Sequence, residues 1–263
     1  MAVVNVTPDS FSDGGVRFDP ERAIADGERM VADGADLLDI GGESTRPGAD
    51  PLPEDEELRR VLPVIAGLRS RVSVPISVDT YKAGVASRAI EAGATIVNDI
   101  SALTYDPALA AVVARLNAAV ILMHNRGRSA AIYEHATYAD VVGEISAELS
   151  ARANAAIAAG IRRERIVLDP GLGFAKVADQ SLQALAGLDR LGNLGYPILS
   201  GPSRKSFLKV ALGDVPPSER IWGTAAAVAA SVMLGAHIVR VHDVREMVQV
   251  VRVADEVASR TAG

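Results

Sequence analysis

The sequence predicts an α/β protein folded as a single TIM (β/α)₈ barrel domain over residues 1–263. Three observations predict it. Eight short apolar runs alternate with helix-period segments along 263 residues, which is the length and grammar of that barrel. The runs tend to stop at a polar residue placed where a buried strand opens into a loop. The G-x-G-x-x-G fingerprint of the competing open, doubly wound sheet is absent. No linker or break in composition divides the chain.

The elements follow in order. Val3–Val6 is a strand leaving into the polar run Thr7–Gly15, and Pro20–Ala32 is a helix with Ala23, Ile24, Gly27 and Met30–Val31 on one side. Asp36–Ile40 is the second strand, followed by the loop after Gly41 and a helix over Glu54–Ser70. Val74–Val78 exits at Asp79 and leads to a helix over Lys82–Ala92, while Thr95–Val97 exits at Asn98 and leads to Pro107–Leu116. Ala118–Met123 ends at His124. An irregular loop over Gly127–Ala136 precedes the alanine-rich helix Ala139–Ala159, which Gly160 closes. Arg165–Asp169 is the sixth strand; Pro170, Gly171 and Gly173 forbid its continuation. Its helix is Gln180–Leu191. Tyr196–Ser200 is the seventh strand, with helices from about Ser203 and over Ser218–Gly235. His237–Val241 is the eighth, and Val244–Ala258 closes the chain.

In a barrel the eight strand exits meet on one rim, which carries the active site. Asn5, Thr45, Asp79, Asn98, His124, Asp169, Lys205, Arg240 and His242 are therefore placed around one cavity.

Composition limits what that cavity does. The chain has no cysteine, which excludes disulfides, thiolate metal sites and thiol catalysis. A net charge of −6 argues against nucleic acid or a membrane surface as partner, so an anionic substrate needs a local basic cluster. No apolar run approaches the ~20 residues of a membrane span, and no signal-peptide pattern follows Met1, which points to the cytoplasm.

Each rim residue has a plain structural reading beside a functional one. Asp79, Asn98 and Asp169 singly suit helix caps or turns. Together they suit the donor-rich edge of a fused heterocycle such as an aminopyrimidinone. Gly201–Ser206 reads either as an anion site at a helix N-terminus, using Ser203, Lys205 and Ser206, or as a serine cap beside an exposed lysine. Arg240 and His242 alternate with Val239 and Val241 and share one face of the last strand. A basic pair aimed into a barrel must be paired or solvated, which favours phosphate. Asn5 offers an amide oxygen to a hard cation held with phosphate oxygens and water. No H-E-x-x-H motif or carboxylate cage offers a dedicated metal site.

The run Asn5-Val-Thr-Pro-Asp-Ser-Phe-Ser-Asp-Gly-Gly15 resembles the N-terminal signature of dihydropteroate synthases. The resemblance continues through Asp39–Gly48, Ser77–Thr80, Val97–Ile100, Leu122–His124, Asp169–Phe174, Ser203–Ser206 and Arg240–Asp243, in family order along nearly the whole chain. It implies condensation of 6-hydroxymethyl-7,8-dihydropterin pyrophosphate with p-aminobenzoate, releasing pyrophosphate, in folate biosynthesis. It also implies roles. Asp79, Asn98, Asp169 and Lys205 match the pterin-binding set. Asn5, Arg240 and His242 match the pyrophosphate set, with Asn5 also on Mg²⁺. Thr45, Arg46, Pro47 and Ser206 match the p-aminobenzoate contacts, with Phe11 and Phe174 as apolar walls and Asp13 as a loop residue near the metal. Asp79, Lys205, Arg240, His242 and Asp13 are the residues assigned to catalysis, and relatives are typically homodimers and sulfonamide targets. Two other readings compete: a pterin-binding barrel that moves a methyl group from methyltetrahydrofolate to a corrinoid protein, and a pterin-binding protein without catalysis. The first has no use for a pyrophosphate set. Ala175 stands where glycine is frequent in the family, and Gly84 where a larger residue is common.

Overall fold

The computed structural model describes residues 1–6, 19–44, 51–127 and 136–261. Six parallel strands pair in chain order: β1 (Ala2–Asn5), β2 (Leu38–Gly41), β3 (Ile76–Asp79), β4 (Ile96–Asp99), β5 (Ala119–Met123) and β6 (Ile166–Asp169). The short strands β7 (Leu199–Ser200) and β8 (Ile238–Val239) pair with each other. Single parallel bridges, Leu168 with Ile198 and Ala2 with Val241, join this pair to β6 on one side and β1 on the other. Val3 N–H donates to the Val241 carbonyl at 3.0 Å across the last seam. The sheet is therefore a closed parallel barrel, and closure removes the open edges that would otherwise leave backbone groups unpaired.

Helices α1 (Pro20–Ala32), α2 (Glu54–Arg69), α3 (Ala83–Ala92), α4 (Leu109–Arg115) and α5 (Val141–Ala158) follow β1 to β5 in turn. Side-chain caps start two of them. Asp19 accepts from the Glu21 N–H ahead of Pro20, and Asp140 accepts from the Gly143 N–H, each at 3.0 Å. Alternate residues of each strand face the helices. Ile40, Val78, Val97, Leu122 and Leu168 are all fully buried and belong to one continuous apolar core with Val61, Ile65, Leu68, Val85, Ile145 and Leu149 from the helices. The other set of strand residues faces the barrel interior, which is where the polar groups collect.

Three expected helices differ. Gln180–Leu191 is two helices, α6 (Ala178–Ala186) and α7 (Leu188–Gly192), broken at Gly187. A Cβ there would lie 2.6 Å from the Val142 methyl, so the close approach of α5 fixes the glycine and the glycine breaks the helix. The helix expected from Ser203 begins later. Arg204 has φ +60°, a left-handed conformation that no helix continues through. A 3₁₀ turn over Ser206–Leu208 then runs into the four-residue α8 (Lys209–Leu212). Beyond it, Pro216 and Pro217 hold a second 3₁₀ turn, and α9 (Ile221–Met233) starts three residues after the expected Ser218. The closing helix α10 extends from Val244 to Thr261.

Candidate active site

The strand register sets the site. Asn5 lies beside Gly41, Gly41 beside Asp79, and Asp79 beside Asn98. Met123 lies beside Asp169 on the far wall. These residues form one layer at the C-terminal mouth of the barrel, all on the inward face.

Arg240 follows β8 and reaches across this layer. Its Nε donates to Asp39 Oδ2 at 2.7 Å, and its second terminal nitrogen donates to Asp79 Oδ2 at 2.9 Å. Asn98 Nδ2 donates to the same Asp39 oxygen at 3.0 Å. Asp39 is fully buried, one layer below Gly41, and its other oxygen has no partner among the described residues. One carboxylate thus orients two rim residues at once. Asp39 was legible in outline: an acid inside the apolar run Asp36–Ile40, two positions before the strand exit, must face inward by the two-residue period.

Burial and the like charge of Asp39 push the Asp79 carboxyl upward, and Arg240 opposes the shift. On the opposite wall Asp169 Oδ1 accepts from the Gly171 N–H at 2.7 Å. Burial raises its carboxyl, with Lys205 acting against the rise. Lys205 Nζ donates to the Leu172 carbonyl and lies 4.7 Å from the centre of the Phe174 ring. Burial brings its amine down to about 8, and Asp169 holds it from falling further. The charges of Asp169 and Arg240 act on each other's ionisation, as expected of groups sharing one mouth.

His242 differs from the cationic partner expected of it. Burial first, then the positive charges of Arg240 and Arg204, hold its imidazole down at about 4. The ring is neutral at pH 7. Its backbone N–H donates to Ser203 Oγ at 3.2 Å, and Ser203 Oγ and the ring Nδ1 are 2.9 Å apart. The Ser203 oxygen can accept twice as well as donate, so this pair fits either tautomer of the neutral ring. His242 is therefore a neutral imidazole rather than a cation.

Two further placements differ from expectation. His124 faces away from the mouth; its ring contacts Lys176 and Glu148 behind β6. This follows from the pleat, since Met123 takes the inward position beside Asp169. Ser206 is exposed at the start of a 3₁₀ turn rather than a long helix, so little helix dipole reaches it. Asn5 is half-buried at the end of β1, and Phe174 is half-buried beside Lys205. Phe11, Asp13, Thr45, Arg46, Pro47 and residues 128–135 of the loop before α5 lie outside the described residues.

A closed barrel with carboxylates, an amide and buried cations gathered at its C-terminal mouth defines a binding site for a polar heterocycle with an anionic appendage. Residues 1–242 match the model of the family described as "pterin binding enzyme". The dihydropteroate synthases of Synechocystis sp. and Bacillus subtilis are 47% and 44% identical to this chain, over 97% and 99% of it and 88% of each relative. A solved structure of the Xanthomonas albilineans dihydropteroate synthase with 4-aminobenzoic acid superposes with a TM-score of 0.92 at 46% identity, covering 98% of this chain and 92% of that one. A structure of the Xanthomonas albilineans enzyme with 7,8-dihydropteroate gives 0.89 at 43% identity, over 98% and 92%. The chain belongs to the pterin-binding enzyme family, on its dihydropteroate synthase branch.

Proposed function

We propose that the mouth residues divide the dihydropteroate synthase reaction between them: one set holds the pterin and the other draws off the diphosphate. The family's reaction joins 6-hydroxymethyl-7,8-dihydropterin pyrophosphate to p-aminobenzoate and releases pyrophosphate. The observation that carries the division is the placement of Arg240 between Asp39 and Asp79. That contact sets the cation beside the acids that suit a pterin.

Asn98, Asp169 and Lys205 grip the heterocycle, with the Asp169 carboxylate on its amino edge. The methylene carbon loses its diphosphate from an electron-rich ring, so positive charge develops there at low cost. Asp79, already close to the cationic end of the site, stabilises that charge. Among the described residues Arg240 places two of its five N–H groups on Asp39 and Asp79, and in this reading the others serve the departing diphosphate. In the tautomer protonated on Nε2, His242 adds a neutral N–H donor there. The arylamine nitrogen of p-aminobenzoate is uncharged near pH 7 and attacks without a strong base. Its carboxylate meets the hydroxyl and backbone of Ser206, with Phe174 as an apolar wall. Thr45, Arg46, Pro47, Phe11 and Asp13 complete the p-aminobenzoate side and the loops in this reading.

Mg²⁺ fits the donor set. The described residues hold no cluster of three acidic or histidine ligands. An ion here would sit on diphosphate oxygens and water with the Asn5 amide oxygen, the hard-donor environment magnesium prefers. When bound it would supply further positive charge on the leaving group. The chain works as a homodimer in the cytoplasm, in keeping with an acidic chain in which no described helix is long and apolar enough to cross a membrane.

Pyrophosphate release on mixing both substrates with Mg²⁺ tests the reading. Release should stop when p-aminobenzoate is withheld. Arg240→Ala and Lys205→Ala should remain folded by circular dichroism while turnover falls about 10²–10³-fold, the usual cost of losing a preorganised charge donor. Near-parental rates in either variant would remove that residue from the mechanism.

A further inference from the structure

Behind the Asp169 wall lies a buried lysine that the reaction above does not use. Lys176 is 1% exposed and is among the largest fully buried side chains. Its Nζ is 2.9 Å from His124 Nδ1, 3.0 Å from the Phe174 carbonyl and 3.2 Å from the Gly171 carbonyl. Three acceptors thus lie within hydrogen-bond reach of one amine. His124 is 3% exposed, and its Nε2 lies 3.0 Å from Glu148 Oε2. With Nδ1 accepting from the lysine, the ring proton sits on Nε2 and points at the glutamate. Arg126 Nε donates to the other oxygen of Glu148 at 3.0 Å. The chain of contacts runs from α5 through the imidazole to the amine and ends on two carbonyls of one turn.

That turn is the one that shapes the pocket wall. Gly171 and Gly173 have φ of +66° and +79°, which glycine adopts readily, whereas Ala175 has φ +47°, which an alanine adopts rarely. On its inner side the Gly171 N–H fixes Asp169, the Leu172 carbonyl receives Lys205, and the Phe174 ring lies against the Lys205 amine. On its outer side the same four-residue span, 171–174, is held at both ends by Lys176. Burial brings the Lys176 amine down to about 7, and a buried amine must find partners for its N–H groups that a packed apolar side chain in the same space would not need.

We infer that Lys176 and His124 are positioning residues for pterin binding: from outside the pocket they hold the 171–174 turn in the one shape that aligns Asp169 and Lys205. Neither touches the substrate. The inference rests on the pterin reading of the mouth given above.

The test is the affinity for 6-hydroxymethylpterin, measured by titration calorimetry beside the thermal unfolding midpoint. Lys176→Met should weaken pterin binding about tenfold, the loss that one misaligned charge-assisted hydrogen bond produces. A control, Ile145→Val in the core beneath α5, should lower the midpoint and leave the affinity alone. His124→Asn keeps an acceptor where Nδ1 stands and should bind pterin within about threefold of the parental chain, whereas His124→Leu removes it and should behave as Lys176→Met does. The His124 pair decides the matter alone if Lys176→Met does not fold. Parental binding with an unchanged constant in Lys176→Met or His124→Leu would overturn this inference and leave the substrate reading standing. A parental chain that does not bind the pterin would overturn both.

Discussion

His242 shows how burial alters the role a residue type suggests. Beside an arginine at a strand exit it reads as half of a cationic pair, yet the arginine's own charge and the dry surroundings keep the ring neutral. The consequence for stability has a definite sign. A base whose folded pKa lies below its unfolded value stabilises the fold above the unfolded pKa, and that contribution is lost as pH falls through the folded one. For His242 the window runs from 6.5 down to about 4. Across it the parental chain should lose up to about 1.4 kcal/mol per pH unit relative to His242→Gln, which has no proton to take up. Urea titrations of the two proteins at pH 7, 6, 5 and 4.5 should show their curves converging or crossing as pH falls. A difference independent of pH would mean that the imidazole titrates in the folded chain as it does in the unfolded one.

At the level of elements, the turn after β6 joins fold to function. Gly171 is required there twice over. Its φ is +66°, and a Cβ would stand 2.1 Å from the His124 carbonyl oxygen, a backbone atom that cannot yield. Gly171→Ala should therefore cost more than the ~1 kcal/mol of a left-handed alanine, lower the unfolding midpoint and reduce pterin affinity, all measurable on one preparation. Much of this element was legible beforehand. An apolar run ended by Asp169-Pro-Gly says strand, then turn, and the strand exits by themselves put Asp169, Asp79 and Asn98 on one rim. The deeper layer was not legible. The inward face of Asp39 followed from its place in the second strand, but nothing local showed that its oxygen would meet Arg240, about two hundred residues away. The helix at Ser203 failed for a comparable reason. Arg204 is bent into φ +60° by long-range contacts, its guanidinium paired with Asp243 and its carbonyl accepting from Arg220, and no residue nearby announces that. Gly84 marks a third such contact, since a Cβ at that position would lie 2.1 Å from the Glu54 carboxylate on α2.

For the whole molecule the outward faces of α9 and α10 are the informative ones. These two helices pack on each other, and their far side carries Trp222 at 81% exposure, Val253 at 66%, Val257 at 48% and Met233 at 43%. Large apolar side chains grouped on one side of a barrel are costly to hydrate, and a tryptophan so placed is the residue type that most often anchors an interface. The mouth of the barrel is built from residues of a single chain, so association is not needed to complete the described part of the site. A second copy docked through these helices would hide the apolar side chains and leave both mouths open. Sedimentation velocity should accordingly find a dimer, and Trp222→Asp, which sets an unpaired charge at the centre of the contact, should shift it to monomer with its circular dichroism unchanged. Activity per chain should then fall little, because the substituted side chain stands on the outer surface. A parental chain that sediments as a monomer at micromolar concentration would leave these helices without the partner their surface calls for.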